Sequence, residues 1–282
     1  MLLTDLKNRY LRHAATYYST CPATVAGIRA ALECVPSGIN VKAVMPRDLK
    51  RWRDRLVRRD LARSTVNAYI NRILAMFRWG VEDGFVDVAV YSALMAVRPL
   101  QFGRSRARET ERVQAVSRED IEHTIQHLPA NAAVLVRLQL LTAARSGELL
   151  ALKPCDVDTS GAVWTAQLVA HKEAWRGLPR VLYFGPQAQA LLRPYLVAGQ
   201  ADRPMFGYST TTSYGTAVRR ACVRAGVVPW HPHQLRHTAA TEIRADGGLE
   251  AAQVALGHAR ADVTQIYAER DDRLAKSVAE RR

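Results

Sequence analysis

The chain has 282 residues, 48% of them hydrophobic, which suits one or two ordinary globular cores and gives no reason to expect extensive disorder. Forty Lys and Arg against 26 Asp and Glu leave a formal charge of +14, a balance that attracts polyanions, among which nucleic acid is the commonest large one. No apolar run approaches the ~20 residues of a membrane span: Ala132–Ala144 is interrupted by Arg137, and Met1–Tyr10, with Asp5, Lys7 and Arg9, lacks a signal-peptide core.

The first hundred residues read as helices. Leu49, Trp52 and Leu56 share one helical face, and charge crowds the rest of that segment. From Lys42 to Arg63 there are nine basic residues and three acidic ones. A face of that composition suits phosphate tracking, because each neutralised phosphate releases counterions. Ser64 is a candidate N-cap for a helix whose stripe is Val66, Tyr69, Ile70, Ile73, Leu74, Phe77 and Val81. The periodicity lapses over residues 99–112, a basic stretch with Pro99 and Gly103 that reads as an interdomain linker.

Beyond it, Ser117 with Asp120 resembles a capping box, followed by Ile121, Ile125 and Leu128. A helix is expected over Ala132–Thr142. Ser160-Gly161 marks a turn, and strand-like runs follow at Ala162–Ala170 and Arg180–Phe184, forming a small antiparallel hairpin. Helical patterns resume over Gln187–Val197 and near Thr212–Ala225. Four cysteines, Cys21, Cys34, Cys155 and Cys222, show no CxxC spacing and are expected to be reduced thiols.

Four local features carry chemistry. Thr142 through Glu148 ends an apolar helix with Arg145. Lys172 lies near the hairpin turn. His233-Gln234-Leu235-Arg236-His237 precedes an apparent helix. Leu256-Gly257-His258 is followed, nine residues after His258, by Tyr267. His233 and His237 share a helical face, yet no HExxH motif or acidic cluster accompanies them, so a metal site is not expected.

In this order, HxLRH, LGH and the spaced Tyr, with Arg145 and Glu148 upstream, resemble the C-terminal signature of the tyrosine recombinases, the phage integrase type. The resemblance covers nearly the whole chain. It implies a mainly α fold with a small antiparallel β-hairpin or sheet in the C-terminal domain. A helical core-binding domain over residues 1–98, a basic linker over 99–112 and an α+β catalytic domain with a C-terminal tail over 113–282 are expected. Tyr267 is then the nucleophile, Arg145 and Arg236 the phosphate clamp, His233 the group that takes or shares the tyrosyl proton, His258 a donor to the phosphate, and Lys172 the general acid. Glu148 supports Arg145 or a histidine, and His237 is read as structural. The hairpin, with Trp175, Arg176 and Gly177, looks longer than in compact members, and Glu269 stands where many members have a His.

The implied reaction is site-specific DNA strand cleavage and rejoining through a 3′-phosphotyrosyl intermediate, with no cofactor, metal or ATP. The implied partner is double-stranded DNA with an inverted-repeat core site. The protein would be a monomer or dimer when free and a homotetramer on synapsed DNA, cytoplasmic and nucleoid-associated when bound, with no membrane partner. Lys50, Arg51, Arg53, Arg55, Arg58, Arg59, Arg104 and Arg106 are the candidate DNA-contacting side chains. The competing readings are a DNA-binding protein of this fold without activity, a nicking-closing enzyme of the type IB topoisomerase kind, and a basic helical adaptor for proteins. After Tyr267, Leu274 and Val278 give the tail one small apolar stripe.

Overall fold

The computed structural model describes residues 1–111, 113–168, 180–198 and 200–257. The chain divides into two compact units, the boundary falling between Arg112 and Val113.

The first unit holds α1 (Leu3–Tyr17), α2 (Pro22–Leu32), α3 (Pro46–Arg58), α4 (Arg63–Glu82) and α5 (Val88–Met95). α1, α3 and α4 each bury one stripe, as a 3.6-residue repeat requires. Leu3, Leu6, Tyr10 and Ala14 line α1, Leu49, Trp52 and Leu56 line α3, and Val66, Ile70, Ile73 and Phe77 line α4. Ser64 does not cap α4. Ala62 occupies the N-cap position, and the Arg63 amide donates to Arg108 O at 2.8 Å. A tertiary contact thus satisfies the first of the amides that a helix start leaves without an intrahelical partner. The same contact ties down the stretch expected to be a linker. Ala107 is buried, Asn67 exchanges two hydrogen bonds with the Leu100 backbone, and Arg63 Nε donates to both oxygens of Glu109 at 2.8 and 2.9 Å.

The second unit holds α6 (Arg118–Ile125), α7 (Ala130–Thr142), α8 (Ser146–Leu150), β1 (Val157–Asp158), β2 (Trp164–Leu168), β3 (Arg180–Phe184), α9 (Pro186–Ala198), α10 (Thr211–Ala225) and α11 (His233–Leu256). The fold is mainly α with a small antiparallel sheet. That sheet has three strands in the order β1-β2-β3, with Val157 opposite Ala166 and Leu168 opposite Arg180. β1 is too short to show alternation, which is why only a hairpin was legible. The expected strand over Ala162–Ala170 is narrower, and its last two residues lie outside the described set. Ser117 caps α6 by accepting from the Asp120 amide at 3.1 Å, the serine half of the expected box.

The strands alternate as a half-buried sheet should. Trp164, Ala166 and Leu168 of β2 face the core, with Leu182 and Phe184 of β3. The inward position that begins β3 is Arg180, 5% exposed. α11 breaks at Gly248, whose φ of 81° lies where glycine is favoured. The segment after the break ends on Gly257, left-handed at φ 62°. Among the described residues no helix is long and apolar enough to cross a membrane.

Candidate active site

The site is built around the turn between α7 and α8. α7 ends on Ala143 in the left-handed conformation, φ 52°, which is strained for any residue with a Cβ. Its carbonyl accepts from Arg236 Nη1 at 2.6 Å. The other arm of Arg236, Nη2, donates to Leu256 O at 2.7 Å. Arg236 is wholly buried. Its guanidinium therefore spans the α7–α8 turn and the last turn of α11, and its plane is set by two carbonyls. The carbonyl end of a helix is the negative end of its dipole, which suits a buried cation.

Arg145 follows two residues after Ala143. Glu148, one turn later on α8, accepts from the Arg145 amide at 2.9 Å and from Arg145 Nη1 at 2.7 Å. The carboxylate thus fixes both ends of that residue. Glu148 is 5% exposed on its side chain and also pairs with Arg180 Nη2 at 3.4 Å. Burial opposes its ionisation most strongly. Arg180, the Arg145 amide and the Arg145 guanidinium together outweigh burial and hold the carboxyl below its ordinary range.

A buried polar cluster joins this turn to the start of α11. Gln139 of α7 places Nε2 3.2 to 3.4 Å from Ser146 Oγ, Pro232 O and Ala144 O, and Gln139 Oε1 accepts from Tyr214 at 3.0 Å. Pro232 immediately precedes His233. The residues on either side of two functional segments, 93 apart in sequence, are therefore held by one side chain.

His233 opens α11. Part of its ring meets solvent, yet the ring of His237 stands edge-on at 5.5 Å. Desolvation, followed by His237, Arg236, His231 and Arg145, lowers its pKa to about 4. The imidazole is therefore neutral near pH 7 and able to accept a proton. His237 is buried.

The described residues thus bring Arg145, Glu148, His233 and Arg236 into one region. Lys172, His258 and Tyr267 lie outside the described residues, as do Trp175, Arg176, Gly177, Glu269 and the tail. No cluster of three or more His, Cys, Asp or Glu that could hold a metal ion occurs among the described residues. Arg180 was read only as the start of a strand. The signal that could have found it is the alternation Arg180, Leu182, Phe184, which puts the arginine on the buried face.

The candidate DNA-contacting cations of the first unit divide into two sets. Arg53 donates to Arg98 O at 2.9 Å and Arg55 to Cys34 O at 3.4 Å. Arg51 pairs with Asp48 at 3.5 Å and Arg59 with Glu33 at 3.6 Å. Lys50, Arg58, Arg104 and Arg106 are exposed.

Arg145, half-buried and steadied by a carboxylate, and Arg236, buried on a helix that opens with a neutral histidine, put two guanidinium groups in one region with a proton acceptor. The family model described as the phage integrase family matches residues 109–273. The tyrosine recombinase XerC of Corynebacterium efficiens is 28% identical over 263 residues, covering 87% of this chain and 80% of that protein. The Tn1549 transposon integrase in complex with a circular intermediate DNA superposes with a TM-score of 0.73 at 17% identity, covering 99% of this chain and 98% of that one. A lambda integrase tetramer bound to a Holliday junction gives 0.71 at 14% identity, covering 95% and 78%. The chain belongs to the phage integrase family, the tyrosine recombinases, and is an enzyme of site-specific recombination.

Proposed function

We propose that this chain cleaves and rejoins DNA through a 3′-phosphotyrosyl intermediate on Tyr267. The observation that carries the reading is the Arg145–Glu148–Arg236 arrangement around the α7–α8 turn. Attack on a phosphodiester builds negative charge on the nonbridging oxygens, and two planar guanidinium groups suit that charge. Phenol has a reference pKa of about 10, so Tyr267 needs a proton acceptor at neutral pH. His233 fills that role, because its depressed pKa keeps it neutral. The tyrosyl oxygen bonds to phosphorus while the 5′ oxygen departs with a proton from Lys172. His258 donates to the phosphate. The phosphotyrosyl ester conserves the bond, so a partner strand's 5′ hydroxyl reverses the attack without ATP. With Arg145, Arg236 and Lys172 supplying positive charge, the mechanism routes no step through a metal ion.

Residues 1–98 act as the core-binding half and residues 113–282 as the catalytic half, with 99–112 between them. Lys50, Arg51, Arg53, Arg55, Arg58, Arg59, Arg104 and Arg106 contribute phosphate contacts. The partner is double-stranded DNA with an inverted-repeat core site, met in the cytoplasm. Exchange of four strands calls for four active sites, hence a homotetramer on synapsed DNA. The lambda integrase tetramer on a Holliday junction supports that stoichiometry.

A nicked suicide duplex tests the reading. Its inverted repeat is selected from a random pool by the protein itself. The unmodified chain forms a covalent adduct that survives EDTA, and Tyr267→Phe binds DNA but forms none. An adduct that relaxes or reseals DNA but never transfers strands would point to nicking-closing activity instead. DNA binding without any adduct would point to a DNA-binding protein of this fold.

A further inference from the structure

We propose that Arg180 is a positioning residue of the recombinase site, bridging Glu148, the carboxylate that holds Arg145, to the carbonyl end of α11, after which the chain continues into His258. The proposal rests on the reading of Arg145 as a phosphate clamp. Three observations carry it. Arg180 Nη2 lies 3.4 Å from Glu148 Oε2, and Nη1 donates to Ala255 O at 3.2 Å. Arg180 is 5% exposed on the core-facing side of β3, a register position where Leu182 and Phe184 follow it. Gly257 gives the guanidinium room, because a Cβ there would stand 3.0 Å from Arg180 Cζ.

A structural role alone explains this poorly. Arg180 Nε is buried with no acceptor among the described residues, which costs stability. A buried ion pair is weak support for a fold, and an apolar residue often replaces one without loss. What an apolar residue could not do is hold the acid of α8 and the end of α11 at one separation. Displacement of a clamp by about 1 Å can cost about a hundredfold in rate.

The test compares Arg180→Lys and Arg180→Gln with the unmodified chain on the selected nicked duplex. Melting, DNA affinity, single-turnover cleavage and the pH profile of cleavage are measured. Lys keeps a cation beside Glu148 but cannot span both acceptors. Arg180→Lys therefore melts somewhat lower, since the bond to Ala255 O is lost, but binds DNA as the unmodified chain does and, per folded molecule, cleaves about tenfold more slowly. Arg180→Gln removes the charge. Among the described residues Arg145 then remains the cation at Glu148, with His233 beyond it. The carboxyl rises, and the acid limb of cleavage moves to higher pH. Adding Glu148→Gln to Arg180→Gln slows cleavage by less than the product of the two single losses, because Arg180 acts through Glu148 while Glu148 also holds Arg145 directly. If Arg180→Lys cleaves at the unmodified rate, or its cleavage falls only in proportion to folded protein, the proposal is overturned. If the unmodified chain forms no adduct, or Tyr267→Phe still forms one, the reading of the site falls and takes the proposal with it.

Discussion

Gly257 and Arg180 are packed so closely that a Cβ on the glycine would lie 3.0 Å from the guanidinium carbon and 3.1 Å from Cδ. The glycine also holds φ 62°, so the second residue of the Leu256-Gly257-His258 motif answers two demands at once. Gly257→Ala should lower stability by about 1–3 kcal/mol, measured by chemical denaturation. In an Arg180→Ala background only the left-handed backbone remains to be strained, and the cost should fall to about 1 kcal/mol. Equal costs in the two backgrounds would show that the guanidinium is not the obstacle.

Ala143 is the opposite case, a left-handed position filled by a residue with a Cβ. Ala143→Gly relieves that strain but frees the unfolded chain, so the net gain should be modest, up to about 1 kcal/mol. Ala143→Val should be destabilising, since β-branching makes φ above zero worse. Thermal melts of the two variants should therefore move in opposite directions. A melt that drops for glycine would place the constraint elsewhere, in the close packing of Ala143 against Ala239 and Ala240.

His233 should titrate near pH 4 in the DNA-free protein, well below the ~6.5 of an unperturbed imidazole. The sign of the linked stability follows. Its folded pKa is depressed, so the unfolded chain binds the proton first as pH falls. The stability associated with the neutral imidazole is present above ~6.5 and is lost as pH falls toward about 4. His233→Gln should flatten that part of the acid-stability curve. An imidazole NMR titration that broke near 6.5 would remove the neutral-acceptor assignment.

If Lys172 protonates the departing 5′ oxygen, a duplex with sulfur at that bridging position should not need it, since a thiolate leaves unprotonated. Lys172→Ala should be slow on ordinary DNA, by about 10²–10⁴-fold, and largely restored on the sulfur substrate. Equal defects on both substrates would assign the general acid to another group.

Arg63 clasps Glu109 from α4 and donates to Leu100 O, which pins the basic stretch after α5. Arg63→Ala should expose Arg104, Arg106 and Arg108 to trypsin several-fold faster, since local opening governs cleavage of such segments. Stability should fall by no more than about 1 kcal/mol, the range for a partly exposed ion pair. Unchanged proteolysis would mean that the Asn67 and Arg108 backbone contacts hold the stretch alone.

The helical stripes and the order of the chemical motifs can be read along the chain alone. Val66, Ile70, Ile73 and Phe77 on α4 were legible because apolar burial follows the 3.6-residue period. Arg145, Glu148, His233 and Arg236 were legible because their spacing is local, and the family resemblance joined the local pieces. How those pieces hold one another depends on contacts between segments far apart in the chain. The pairing of Arg180 with Glu148 spans 32 residues, and that of Arg236 with Ala143 spans 93. The N-cap of α4 lies at Ala62 rather than Ser64, and the Arg108 carbonyl, distant in sequence, satisfies the Arg63 amide. The low pKa of His233 arises partly the same way: desolvation comes first, its own segment supplies His237, Arg236 and His231, and Arg145 adds the contribution from across the fold. Periodicity reports what a residue's own element must bury. Hydrogen bonds and charge in a core depend on which distant elements meet, and that is settled only when the chain folds.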